Sequence, residues 1–200
     1  MHRFRGLTRI LRRAQDAVQL SGHLRPNALV GELIVDLLVR VATPDDAGAI
    51  VGILNPIIAA GTYTVLDTPF TVEAEREYIL NFPPRGILHV ALRRGDQRLV
   101  GLQSLEPFAS YTHAFDHVGV LGTHVDLSYR RQGIGRRLFQ ATYDAARRKG
   151  YEKLFTYVRA DNSAALASYL NQGFEVVGTA RRQARINGKY VDEFIIEKFL

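Results

Sequence analysis

The chain has 200 residues, 46% of them hydrophobic and 23% charged, which suits one globular domain with a sizeable core. It contains no cysteine. This excludes disulfides, zinc–thiolate sites and a cysteine nucleophile, and it fits a reducing, cytoplasmic compartment. The net charge of +6 is uneven: residues 1–30 carry +5, residues 31–126 carry −6 and residues 127–200 carry +7. A basic last third serves a polyanionic small ligand as well as a nucleic acid, and no nucleic-acid partner is expected. No apolar run is long enough to span a bilayer and no secretory signal is read, so no membrane partner is expected either.

Residues 1–35 read as a basic N-terminal extension. Phe4, Leu7, Ile10, Leu11, Ala14 and Val18 recur at helical spacing between Arg3, Arg5, Arg9, Arg12 and Arg13, the pattern of an amphipathic helix that packs on a domain, a membrane surface or nothing. Residues 36–200 form the domain proper. Leu37 to Val41 predicts a strand. Thr43, Pro44, Asp45 and Asp46 then start a helix, with Thr43 as cap, Pro44 at the first helical position and two acids at the positive end of the dipole. Ala47, Ile50, Val51, Leu54, Ile57 and Ile58 form its apolar face, and Pro56 divides or kinks it. A further helix follows Thr71 and runs to Phe82.

Ile87–Leu92 and Leu99–Leu105 predict a hairpin closed at Arg94-Gly95-Asp96-Gln97. A polar and aromatic loop over 106–117 and a strand over Val118–Val125 follow. Gly133 to Lys149 predicts a helix with Ile134, Leu138, Ala141, Thr142 and Ala145 inward and Gly150 closing it. After a strand from Lys153 to Val158, Asp161 or Asn162 caps a short helix ending at Gly173. Phe174 to Thr179 is another strand, and Asn187-Gly188 turns a terminal hairpin. The order predicts a mixed α/β domain around a twisted sheet.

The clearest chemical signal is Arg130-Arg131-Gln132-Gly133-Ile134-Gly135-Arg136-Arg137, between a strand and a long helix. The glycines let backbone approach a ligand, the free N–H groups of a helix start favour an anion, and four arginines add positive charge. The chemistry suited to this is pyrophosphate binding. The three-glycine dinucleotide fingerprint and the Gly-Lys-Ser/Thr phosphate loop are both missing. No His, Asp or Glu set has metal-site spacing.

Arg130-x-x-Gly133-x-Gly135 resembles the acetyl-CoA loop of the GNAT superfamily of N-acetyltransferases. Asp161-Asn162-Ser163-Ala164-Ala165, with Leu170 and Asn171-Gln172-Gly173-Phe174, resembles its second cofactor segment. Asn55-Pro56-Ile57-Ile58, Thr62-Tyr63-Thr64, Thr68-Pro69, Gly101-Leu102 through Pro107-Phe108, and Ala114-Phe115 resemble the phosphinothricin and amino-acid N-acetyltransferase group. The resemblance implies a single GNAT-like domain with a mostly antiparallel mixed sheet and acetyl-CoA as acetyl donor. It also implies that an amine attacks directly in a ternary complex. Backbone groups of Thr123, His124 and Val125 would meet the pantetheine and thioester, and one N–H would stabilise the oxyanion. Arg130, Arg131, Gln132, Gly133, Ile134, Gly135 and Arg136 would hold the pyrophosphate, and Asn162 would contact the cofactor or simply cap its helix.

Tyr169 matches the tyrosine that protonates the leaving thiolate in many members; the phosphinothricin enzymes often have histidine there. Their base, a glutamate on the strand before the glycine loop, is replaced by Val120. Glu106, then His124 or Asp126, are the substitutes, while His113 and His117 read as surface residues. Tyr63, Phe70, Tyr78, Phe108, Tyr111 and Phe115 are available to line a closed aromatic cleft. The expected acceptor is a small-molecule primary amine, such as an amino acid or an analogue. The alternatives are a protein or peptide amine, for which an open acidic cleft would be suited, and a non-catalytic acetyl-CoA-binding regulatory domain. A homodimer is left open.

Overall fold

Strand β2 (Ile87–Arg93) is buried on both faces along almost its whole length, which is why its sequence shows no alternation of apolar and polar residues. Leu88, Val90 and Leu92 face one hydrophobic cluster, whereas Ile87 and Ala91 face two others. A computed structural model describes residues 36–200; the N-terminal extension 1–35, and with it the amphipathic helix read there, lies outside the described residues.

Around β2 the chain builds a seven-stranded sheet in the order β1-β2-β3-β4-β5-β7-β6. The remaining strands are β1 (Leu37–Val41), β3 (Leu99–Pro107), β4 (Val118–Val125), β5 (Lys153–Arg159), β6 (Glu175–Ile186) and β7 (Lys189–Phe199). Every neighbouring pair is antiparallel except β4 and β5. On one face lie helices α1 (Ala47–Ala59) and α2 (Val72–Leu80), packed over Leu88, Val90, Leu99 and Leu102. On the other lie α3 (Ile134–Arg148) and α4 (Ser163–Leu170), whose Phe139 and Tyr169 close over Leu105, Leu121, Leu154 and Ile196. This is the mixed, mostly antiparallel α/β domain that the element order predicted.

Several local expectations are corrected. Pro44–Asp46 form a 3-10 turn before α1. Asp46 accepts from the Thr43 N–H at 2.7 Å and from both Arg40 guanidinium nitrogens at 2.7 Å, so Arg40 holds its carboxyl below the usual range. Helix α1 runs unbroken through Pro56. One intrahelical hydrogen bond is lost there, but Ile53, Leu54, Ile57 and Ile58 are all buried around it, and that packing holds the helix. Ile53 replaces the expected Val51 on the buried face, and in α3 Phe139 and Ala146 are buried in place of Ala141, while Ala145 packs partly buried against the core as expected. The apolar stripe is broader than strict helical spacing implies because each helix also meets its neighbouring loops. Strand β3 extends to Pro107, and the following loop contains a 3-10 turn at His113–Phe115. Strand β6 is twice the expected length because it pairs with β7 back to the Asn187-Gly188 turn, where both residues have positive φ.

Candidate functional site: a splayed strand pair beside a glycine loop

The site begins where pairing stops. Strands β4 and β5 pair in parallel only over Val118–Val120 and Lys153–Phe155; beyond these, β4 stays on β3 and β5 stays on β7. The Phe108 N–H donates to Val118 O, and the Asp126 N–H donates to Val100 O. Even-numbered residues of β4 therefore turn their backbone groups to β3, and odd-numbered residues turn theirs toward β5. The N–H and C=O of Thr123 and Val125 thus look into the wedge between the splayed strands. His124, grouped with them from the sequence, directs its backbone at β3 and offers the wedge no backbone donor.

At the wide end of the wedge the chain turns into α3. A 3-10 turn, Leu127–Tyr129, is capped by the Asp126 carboxylate, which accepts from the Ser128 N–H at 2.8 Å. Arg131 and Gly133 then take left-handed backbone at φ 63° and 75°. Gly133 is the N-cap of α3 and supplies no capping side chain, so the first N–H groups of a 15-residue helix are left for an anion. Beyond its chain neighbours and its own helix backbone, a Cβ built on Gly135 would meet no described atom within 4 Å, so the space beside this backbone is open. Among the described residues, none of Arg130, Arg131, Arg136 and Arg137 is ion-paired. Gln132 is exposed beside them and Ile134 is buried, anchoring the loop to Leu138 and Val100. Open space beside the backbone, free helix N–H groups and unpaired guanidinium groups fit a pyrophosphate.

Tyr169 reaches the wedge from α4. Its ring is 8% exposed and sits edge-on against Phe139 and Phe174, and its hydroxyl lies 3.2 Å from Thr123 Oγ1. Burial pushes the phenol above its ordinary range, partly offset by that hydrogen bond, so the group holds its proton through neutral pH. Gln103, completely buried on β3, donates from Nε2 to the same Thr123 oxygen at 2.9 Å.

Val120, Gly122 and His124 project from the opposite face of β4. Glu106 stands directly across from Val120 in the β3–β4 register. Opposed residues of an antiparallel pair share a face, so Glu106 projects beside Val120. Its carboxylate is half-buried and accepts from the Tyr78 hydroxyl of α2 at 2.7 Å. The His124 ring lies near Gly122 and Ser104. It is crowded by protein although part of it reaches solvent, and desolvation pushes its pKa down to about 4; the imidazole is neutral at pH 7. Asp126 is occupied as a cap and by Arg98 at 3.4 Å. His113 and His117 are exposed.

The second cofactor segment is tied to the loop between α1 and α2. Asn162 caps α4 by accepting from the Ala165 N–H at 3.1 Å, and its Nδ2 donates to Tyr63 O at 3.3 Å. Asp161, the alternative cap in the sequence, instead pairs with Arg159 at 2.8 Å. Arg159, only 6% exposed, also donates to Gly61 O and Thr64 O at 2.9 Å each, and the Arg130 guanidinium lies 3.8 Å over the Tyr63 ring. The sequence reading missed Gln103 and Arg159. Each is a polar residue at an inward position of an otherwise apolar strand, a signal weaker than a motif. The expected closed aromatic cleft is also corrected. Phe70 packs into the core under α1 and Phe115 is half-buried against Phe108, but Tyr63, Tyr78, Phe108 and Tyr111 are 40%, 39%, 39% and 82% exposed, Tyr78 on the outer side of α2 and the others on or beside surface loops. A groove of about 630 Å³, lined by Arg40, Asp46, Ile53, Arg98 and Asp126 among others, includes none of the wedge residues.

Residues 58–174 match the Acetyltransferase (GNAT) family. The N-alpha-acetyltransferase RimI of Mycobacterium tuberculosis is 45% identical over 64 residues, 32% of this chain and 39% of that protein. The chain thus spans well under half the length of that relative. The phosphinothricin N-acetyltransferase of Streptomyces coelicolor is 24% identical over 159 residues, 78% of this chain and 92% of its own. A crystal structure of a ribosomal-protein-alanine N-acetyltransferase from Brucella melitensis superposes with a TM-score of 0.75 at 29% identity, covering 82% of this chain and 99% of that one. With the splayed strands, the glycine loop and the second cofactor segment in one domain, the chain belongs to the GNAT family, whose fold is that of acetyl-CoA-dependent acyltransferases.

Proposed function

We propose that this chain transfers the acetyl group of acetyl-CoA to a primary amine presented by a peptide or protein, by direct attack in a ternary complex. The observation that carries the transfer chemistry is the placement of two proton-handling groups on opposite faces of β4. Glu106 lies on the face of α1 and α2, and Tyr169 lies on the face of α3 and α4. The pyrophosphate rests on the α3 N-terminus between Arg130 and Arg136, and the thioester enters the wedge. An N–H of Thr123 or Val125 stabilises the developing oxyanion. The amine comes from the Glu106 face and loses a proton to that carboxylate, directly or through one water. Tyr169 gives a proton to the departing thiolate.

The acceptor class follows from the open face. A small apolar amine suits an enclosed aromatic site, whereas here four of the aromatics around Glu106 and the neighbouring loops are substantially exposed. That is the arrangement suited to a chain end reaching in from solvent, and relatives named for N-alpha-amine and ribosomal-protein-alanine acetylation support it. This replaces the small-molecule amine as the first reading. The small amine stays as the second reading because the phosphinothricin relative aligns over most of both chains. Thiol release from acetyl-CoA, measured against short peptides with free α-amines and against single amino acids and their analogues, separates the two. Turnover with peptides but not with free amino acids is the expected result; the reverse assigns the small amine.

A further inference from the structure

Gln103 is an anomaly in the core. It is 0% exposed on β3, between Gly101 and Leu105 on the face that meets α3, and among the described residues its Oε1 has no hydrogen-bond partner. A buried amide with an unmatched oxygen is unfavourable wherever an aliphatic side chain of similar size would fit. Its Nε2 is engaged, donating to Thr123 Oγ1 at 2.9 Å, and that hydroxyl in turn lies 3.2 Å from Tyr169 Oη. The three side chains form a line that ends on the phenol read above as the proton donor.

The polarity of this line decides what the phenol can do. Thr123 and Tyr169 each carry one hydroxyl proton, and between them only one can lie in their shared hydrogen bond. If Tyr169 donates to Thr123, its proton points away from the wedge and the Thr123 proton is left over. If Thr123 donates to Tyr169, the left-over proton belongs to the phenol and is free to point into the wedge. The Gln103 amide N–H can only donate to Thr123 Oγ1, so although the phenol can donate to that oxygen, the Tyr169 oxygen is the one of its two partners that can accept the Thr123 proton.

Resting on the acetyltransferase reading, we propose that Gln103 and Thr123 are positioning residues. In this proposal they fix a donor chain running Gln103 Nε2–H to Thr123 Oγ1–H to Tyr169 Oη, which frees the Tyr169 proton for the leaving sulfur. As the amine nitrogen bonds to the carbonyl carbon and the C–S bond breaks, the electron pair goes to sulfur. Sulfur takes the Tyr169 proton, and the phenolate left behind keeps the Thr123 O–H as its donor. The proton that the amine gives up on the Glu106 face balances the one taken from Tyr169, which is restored from solvent.

The test is a set of single and double variants, read as thiol release from acetyl-CoA with water as acceptor and again with a short peptide bearing a free α-amine. Thr123→Val and Gln103→Met preserve volume and remove the chain. Each is expected to lower kcat on the order of 10- to 100-fold, the factor that one hydrogen bond to a charge-bearing oxygen supplies. The dissociation constant for acetyl-CoA and the melting temperature stay near those of the unaltered protein. Thr123→Ser, which keeps the hydroxyl, recovers most of the rate. In a Tyr169→Phe background neither Thr123→Val nor Gln103→Met lowers kcat further, a non-additivity that a packing role would not produce. A loss in Tyr169→Phe with none in Thr123→Val, or equal losses in both backgrounds, overturns the donor chain and leaves the acetyltransferase reading intact. Unchanged turnover in Tyr169→Phe alone removes Tyr169 as donor and the chain with it.

Discussion

The two faces of β4 handle protons in opposite surroundings. On the Thr123 face Tyr169 is enclosed by Phe139, Phe174 and the Gln103–Thr123 line, and burial raises its pKa. On the other face Glu106 touches an exposed tyrosine of α2, and His124 is the crowded group. A proton donor benefits from a dry site, because burial disfavours the phenolate until a thiolate is there to take the proton. A base that must pass a proton to bulk water benefits from the half-open side. The difference teaches that the two faces of one sheet can give a strand a closed acid side, supplied by α4, and an open base side, supplied by the neighbouring β3.

The strongest way to break this comparison is to remove the ligand common to both faces. Gly135→Glu adds a side chain and a negative charge where the space beside the backbone is open, and calorimetry should show acetyl-CoA binding lost while the melting temperature holds. Retained affinity would move the pyrophosphate away from this loop. Tyr169→Phe should come next, costing about 10²–10⁴-fold in turnover with cofactor affinity preserved, since the thiolate develops only in the transition state. Glu106→Gln keeps shape and removes the carboxylate, and should cost about 10²-fold in kcat at neutral pH. Tyr78→Phe, which removes only its hydrogen-bond donor, should cost less. A Glu106→Gln enzyme of normal rate would transfer the base role to water or to neutral His124.

A subtler effect separates stability on the two faces. The His124 pKa falls from near 6.5 to about 4 in the folded chain. The unfolded chain therefore binds the proton first as pH drops. Stability contributed by the neutral ring is fully present above pH 6.5 and is lost as pH falls toward 4. Thermal melts between those limits should show a declining midpoint, and His124→Gln should flatten the decline. An unchanged slope would mean that the ring is better solvated than its packing implies. Smallest is Asn162→Ala, which should lower stability by about 1 kcal/mol through loss of the α4 cap and loosen Tyr63, read as a modest rise in the acetyl-CoA dissociation constant.

What the sequence determined by itself is local and covalent in reach. The two glycines before α3, the Asn-Gly turn, the Asn162 cap and the order of elements are legible because each depends on a few adjacent residues and their backbone preferences. Those same residues carried the family resemblance. The tertiary structure decided everything that depends on register and packing across distance. That Glu106 lies opposite Val120 follows from how β3 pairs with β4, and sliding the pairing by one residue would turn it to the other face. That Pro56 stays inside a helix follows from the burial of Ile53, Leu54, Ile57 and Ile58 around it, which outweighs one missing hydrogen bond. Of the aromatics taken for a closed cleft, Tyr63 and Tyr111 are exposed because loop residues follow the course of their loop, which periodicity does not encode. Gln103 meets Thr123, and through it Tyr169, 20 and 66 positions away in the chain, only because two strands and a helix converge there. Hydrogen bonds act over about 3 Å, and only folding brings groups so far apart in sequence that close.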